Sequence, residues 1–201
     1  MSIKDSVTEN LIKDTAKKVF FVEGRFNATT QEIADAAGVN RTLVNYYFRS
    51  RDLLFEKVLV EGQQEFREKL EDTINPAYTF KEKIGHFIDV WMAHSMKYPY
   101  LDAYLASQAN SGNYLDKIHK SKPQDDEKKK AAFLEEIRLE MKKGTIPEME
   151  PMQYMINLVS MISYPLSMRP VLEKAFLLNK KSYTAILAGR KDAILKCLFK
   201  K

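Results

Sequence analysis

The chain has 201 residues, of which 45% are hydrophobic and 29% charged, with a formal net charge of +5. That length buries a real core, in one large domain or two small ones, and that composition excludes general disorder. Seven glycines and seven prolines leave long stretches with neither, which favours helices over a turn-rich β fold.

A first helix is expected over residues 7–22. Leu11, Thr15 and Val19, with Ile12, Ala16 and Phe20, recur at i, i+4 and i+8 and make one apolar face. Lys13, Lys17 and Lys18 fall largely off it, and Gly24 supplies the stop. Thr29-Thr30-Gln31-Glu32 then fits a capping box and opens a second helix with Ile33, Ala36 and Ala37 inward. Gly38 ends this helix after barely two turns, and Asn40 caps a third over 41–48. Two short helices joined by a turn of about three residues containing Gly form a helix-turn-helix pattern.

Ser50 caps a long helix from 51 to near 74, with Leu54, Val58 and Phe66 apolar and Leu53, Phe55, Leu59 and Leu70 beside them. Asn75-Pro76 ends it. Further helices are expected over 79–97, 99–111, 125–143, 151–168 and 180–199. Tyr98-Pro99, Gly112, Gly144 to Pro147 and Pro170 punctuate them. The mixed run Gln124 to Lys130 reads as a solvated helix start. The expected fold is all-α. A three-helix unit over 1–50 continues through the long helix into a helical domain over 51–201.

Residues 38–51 hold Arg41, Arg49 and Arg51 and no acid. A recognition helix is short and offers its N-terminal side chains to base edges in the major groove. Arg41 and Thr42 hold those places: Arg can bond guanine O6 and N7 together, and Thr can reach a base edge or a thymine methyl. Asn45 stands one turn on, able to address adenine or a phosphate. Tyr46 and Tyr47 put hydroxyls near the backbone, and Arg51 opens the next helix where a phosphate can sit. Each of these also has a plain structural reading, Asn40 as a cap and the tyrosines as packing; the DNA reading rests on the ensemble.

The segment TTQEIADAAGVNRTLVNYYFRSRDLLF resembles the TetR (tetracycline repressor) family. The matching residues are Thr29-Thr30, Ile33-Ala34, Ala37-Gly38-Val39, Asn40-Arg41, Leu43-Val44, Tyr46-Tyr47-Phe48 and Ser50-Arg51-Asp52-Leu53-Leu54, within a resemblance over about 7–60. It implies that Thr30 and Gln31 meet DNA at the start of the second helix. It further implies that Arg41, Thr42 and Tyr46 approach bases and that Asn45, Tyr47 and Arg51 hold phosphates or sugars. Many members carry Tyr in place of Asn45 and Lys in place of Arg51. The resemblance also makes 51–201 an effector-binding and dimerisation domain of a cytoplasmic repressor, released from a palindromic operator by a small molecule.

Residues 151–168 are apolar nearly all round, so one side can face the chain's own core and the other a partner. The last helix offers Tyr183, Ile186, Leu187, Ile194, Cys197 and Leu198. A monomer core accounts for these as well as a dimer does. The resemblance implies a homodimeric four-helix bundle, with Met155, Ile162, Tyr183, Ile186, Leu187 and Ile194 at the interface.

The stretch 84–115 is rich in aromatics and methionine: Phe87, Trp91, Met92, Met96, Tyr98, Tyr100, Tyr104 and Tyr114, with His86 and His94. Ordinary core explains any one of them. Together Trp91, His94, Tyr98 and Tyr104 are candidates for a pocket taking an apolar or aromatic small molecule. His86, Asp89 and His94 lack metal-ligand spacing, so no metal is expected. Neither a nucleophile with an orienting base nor a phosphate loop is present, so neither catalysis nor a cofactor is expected. The lone Cys197 forms no internal disulfide and suits a reducing compartment. No signal peptide or membrane span is expected. A helical protein–protein module is the rival function, and buried Arg41, Thr42 and Tyr46 would favour it.

Overall fold

The computed structural model describes residues 3–109 and 123–200, so Gly112 and Tyr114 lie outside the described residues. Among them every regular element is helical. In order these are α1 (Ile3–Lys17), α2 (Thr30–Ala37), α3 (Arg41–Phe48), α4 (Arg51–Asp72), α5 (Phe80–Lys97), α6 (Leu101–Ala109), α7 (Pro123–Lys142), α8 (Pro151–Ser167), α9 (Arg169–Ala175), α10 (Lys180–Ala188) and α11 (Arg190–Leu198).

The first helix does not run evenly to residue 22. It passes into one wide π turn, Lys18–Val22, closed by Glu23 N–H on Lys18 O at 3.0 Å. That turn brings Val19, Phe20 and Phe21 inward together, each no more than 1% exposed. They join Ile12, Ala16, Ile33, Ala34, Val44, Phe48, Leu54, Phe55 and Val58 in a first core. Each large apolar side chain so buried contributes about 1.5–3 kcal/mol. The inward face of α2 is Ile33 and Ala34, with Ala36 exposed, and Leu11, Leu43 and Leu53 also face solvent.

Helix α4 carries this core toward the rest of the chain. Lys13 and Lys17 of α1 reach Glu61 and Glu65 at 3.1 and 2.9 Å, which ties α1 along α4. Lys17 is buried, so it belongs to this contact and not to the polar face of α1. Burial pushes the Glu65 carboxyl up, but the hydrogen bond and charge of Lys17 outweigh it and hold its pKa below the usual value. Tyr98 and Leu101 also enter the first core, and Tyr100 N–H bonds Phe21 O at 3.2 Å. The start of α6 therefore grips the N-terminal unit.

A second core gathers Phe80, Ile84 and Ile88 of α5, Ile137 of α7, Ile146 between α7 and α8, Tyr154, Leu158 and Ile162 of α8, and Ile194 and Leu198 of α11. Here the long final helix is broken. Gly189 separates α10 from α11, and a short α9 precedes them. Pro165 sits inside α8 and has no N–H for the carbonyl four residues back. Arg190, just past the break, fills that role: its Nε and Nη2 donate to Met161 O at 2.9 and 2.7 Å. Tyr183 of α10 donates to Pro165 O. The last two helices thus tie down the end of α8 around Pro165. No helix among the described residues is long and apolar enough to cross a membrane.

Candidate nucleic-acid interface

Local chemistry fixes the geometry of α2 and α3. Glu32 N–H donates to Thr29 Oγ1 at 3.2 Å, and Thr29 N–H to Glu32 Oε2 at 2.8 Å, which closes the capping box. The Thr29 backbone and hydroxyl bonds, then the Arg25 guanidinium, hold the Glu32 carboxyl below its usual pKa. Gly38 takes φ +66°, with Val39 N–H on Ala34 O and Gly38 N–H on Asp35 O, a Schellman ending that turns the chain sharply. Asn40 Oδ1 accepts Thr42 N–H at 2.8 Å and starts α3 at once.

Phe48 and Val44 anchor α3 in the core, and its opposite face is left in solvent. Arg41, Thr42 and Asn45 are exposed, and Tyr46 is 74% exposed although it is a large aromatic. Arg41 has no hydrogen-bond or ion-pair partner among the described residues. Tyr47 is half-buried against Tyr46 and Phe48, with its hydroxyl 3.4 Å from Asp5. Desolvation, then the Asp5 charge, raises its pKa. Gln31 is exposed and bonds Asp35 at 2.7 Å, whereas Thr30 lies almost fully buried beneath it. Arg51 is half-buried: its guanidinium lies 5.2 and 4.9 Å from the Phe20 and Phe55 ring centres, donates to Asp52 at 2.8 Å and reaches Ala28 O.

A residue missing from the sequence-derived set stands between α3 and α4. Arg49 has φ +63° and ψ −44°, and Ser50 N–H bonds Phe48 O across it at 2.6 Å. This is a γ-turn of the rarer, strained hand, which costs an arginine about 1–3 kcal/mol.

Residues 12–58 match the family described as bacterial regulatory proteins, tetR family. The chain's N-terminal unit is thus a DNA-binding domain of the tetR type. That domain makes the chain a DNA-binding transcriptional regulator. The whole chain is also similar in fold to solved proteins. One is a TetR-family transcriptional regulator of Haemophilus influenzae, with 16% identity, 99% of this chain and 100% of that one covered, and TM-score 0.61. Another is the ketosteroid transcriptional regulator of Mycobacterium tuberculosis, with 11% identity, 96% and 95% covered, and TM-score 0.68. A third is a TetR family transcription regulator of Marinobacter aquaeolei, with 13% identity, both chains fully covered (100%), and TM-score 0.63. At such identities the likeness speaks for the fold. No curated protein matches the chain.

Of the four aromatic pocket candidates, Trp91, His94 and Tyr98 lie along α5 and its C-cap near Phe66, and Tyr104 lies apart. Tyr104 stacks on Phe26 with ring centres 4.6 Å apart, so it belongs to the N-terminal core, as does Tyr98. Trp91 and His94 both lie against Phe66 of α4, at 5.3 and 4.1 Å. Trp91 Nε1 and His94 Nε2 are buried with no hydrogen-bond partner among the described residues. Desolvation lowers the His94 pKa. His94 borders an open cleft of about 310 Å3 between α4 and α5, with Phe66, Val90 and Tyr98. A larger one, about 550 Å3, lies on the other side of α5, walled by Met92, Met96, Leu166 and Leu187. No three His, Cys, Asp or Glu among the described residues are grouped to hold a metal.

The six interface candidates are also divided. Ile162, Tyr183, Leu187 and Ile194 are buried in the chain itself, Met155 is half-buried, and Ile186 is 48% exposed. The apolar residues that α8 shows to solvent are Met152, Ile156 and Tyr164. A helical period marks two opposite stripes on an apolar helix and gives no sign of which one is core.

Proposed function

We propose that this regulator is a cytoplasmic homodimeric repressor that leaves a palindromic operator when a small molecule binds its C-terminal body. In this reading residues 1–50 are the DNA-binding unit and 51–201 the effector-binding and dimerisation domain. Arg41, Thr42 and Tyr46 read base edges, Gln31 and the backbone at Thr30 meet DNA from α2, and Asn45, Tyr47 and Arg51 hold phosphates or sugars. The observation that carries it is the outer face of α3. A 74% exposed Tyr46 beside an unpartnered Arg41, on a helix anchored from behind, is arranged for an outside partner rather than for the chain's own core. A single half-site gives little affinity, which calls for a second protomer.

The inducer is an apolar or aromatic molecule that carries a hydrogen-bond acceptor. Trp91 Nε1 is a donor only, it is buried without a partner, and it flanks Phe66 and His94 on α4 and α5. Selection of random duplexes on the purified protein tests the reading, together with its mass by light scattering. A pseudo-palindrome with half-sites about one helical turn apart or somewhat more, bound by a dimer, is the expected result. Selected sites with no two-fold pattern, or a monomer at micromolar concentration, refute it.

A further inference from the structure

We infer that Arg49 is a DNA-phosphate contact, held at a strained turn because its charge is needed there. The inference rests on the reading of α3 as a recognition helix. At three other left-handed positions, 24, 38 and 144, the chain places glycine, and at a fourth, 177, an apolar leucine. At position 49 it places a long cation, where glycine would relieve the backbone. Packing does not explain the choice, because the residue is exposed.

Pairing does not explain it either. Arg25, Arg51, Arg138, Arg169 and Arg190 have ion-pair or hydrogen-bond partners, and Arg67 is engaged as well. Arg41 and Arg49 alone have none among the described residues, and they stand at the two ends of α3. An eight-residue helix spans about 12 Å. The major groove is about 12 Å wide and walled by the phosphate backbones. With Arg41 at the base edges, the far end of α3 arrives at a wall, where a phosphate meets Arg49. The γ-turn fixes the outward direction of that side chain, so little freedom is lost on binding. Arg51, two residues on, would share a phosphate with its existing partners Phe20, Phe55 and Asp52. At this end of the helix Arg49 is the cation with no partner among the described residues.

The test measures binding of a selected duplex and an unrelated duplex over a salt series, for the wild type and for Arg49→Gln, Arg49→Lys and Arg49→Gly. Arg49→Gln keeps the turn and removes the charge. It should weaken both duplexes by the same factor, about five-fold per protomer near 0.15 M salt, and lower the salt slope by about 0.9 per protomer. Arg49→Lys should keep the slope. Arg49→Gly should lose it while its melting temperature holds or rises, which separates charge from folding. An unchanged slope in Arg49→Gln, or a change in which base is preferred, overturns the assignment. A wild type that binds neither duplex at low salt overturns the recognition-helix reading itself. Firm wild-type binding with an indifferent Gln variant removes Arg49 alone.

Discussion

The outer face of α3 and the outer face of α8 to α10 both hold large side chains in solvent, but of opposite chemistry. On α3 they are Arg41, Thr42, Asn45 and Tyr46, each able to give or accept hydrogen bonds. Across the C-terminal face they are Met152, Ile156, Tyr164, Phe176, Leu177 and Ile186, and Leu177 is 92% exposed. The first set meets water comfortably and gains further from a polyanion. The second set gains from losing its water. Both faces are held from behind by ordinary cores, so neither is a folding defect. They teach that exposure alone names no partner; the chemistry of what is exposed does.

The comparison breaks first at the apolar face, where the largest effect is expected. Ile186→Glu should halve the mass of a dimer while leaving the fold intact, because the residue is 48% exposed. Ile194→Glu should instead unfold the chain, because it buries a charge in a site that is 0% exposed. Loss of the second protomer removes the avidity of two linked half-sites, so operator affinity should drop by ~10²–10⁴-fold. Light scattering and a binding titration check both. An Ile186→Glu protein of unchanged mass would show that this face is not where protomers meet.

At the polar face the expected effects are smaller. Arg41→Ala should cost ~1–3 kcal/mol on the selected operator and relax preference at one position per half-site. Arg51→Ala should differ in kind. Its guanidinium is packed on Phe20 and Phe55, so melting temperature should fall together with affinity for every duplex, by about 1 kcal/mol of lost cation–π packing. Selection on both variants, with melting curves alongside, separates reader from brace. A preference unchanged in Arg41→Ala would take that residue out of the groove.

The two regions were unequally legible for a physical reason. The N-terminal unit is written in local chemistry: Thr29 with Glu32, Asn40 with Thr42 and Ser50 with Leu53 each act within three residues. Such signals survive in sequence because no distant partner is required. The C-terminal body depends on partners far along the chain. Arg190 satisfies the Met161 carbonyl, 29 residues away, that Pro165 leaves without its N–H partner, and Lys17 becomes buried beside Glu65, 48 residues on. Tyr104 packs on Phe26 of the N-terminal unit, and Tyr98 both packs on Phe21 and lines the cleft beside His94, contacts that only the fold reveals. Leu43 and Leu53 are apolar, yet the fold leaves both exposed. The same limit hid Arg49, whose turn conformation has no signature in an arginine.

The smallest effect concerns the body that joins the two faces, at the contact of α4 with α5. His94 lies 4.1 Å from Phe66, ring on ring, and its Nε2 is buried without a partner. Desolvation is the main cause of its lowered pKa. Asp102 and Glu65 pull the other way, and Lys69 and Lys97 add to the lowering. A free histidine titrates near 6.5. As pH falls below that value the unfolded chain takes up a proton that the folded chain resists, so the unfolded state binds more protons and stability drops. Above it both states are neutral and the group is silent. The wild type should therefore lose more melting temperature between pH 7.5 and 5.5 than His94→Phe, which keeps the stack on Phe66 and cannot protonate. Equal losses in the two proteins would mean that His94 is as easily charged in the fold as out of it. The α4–α5 contact would then be wetter than its geometry indicates, and a poorer route for strain between an apolar ligand and the recognition helix.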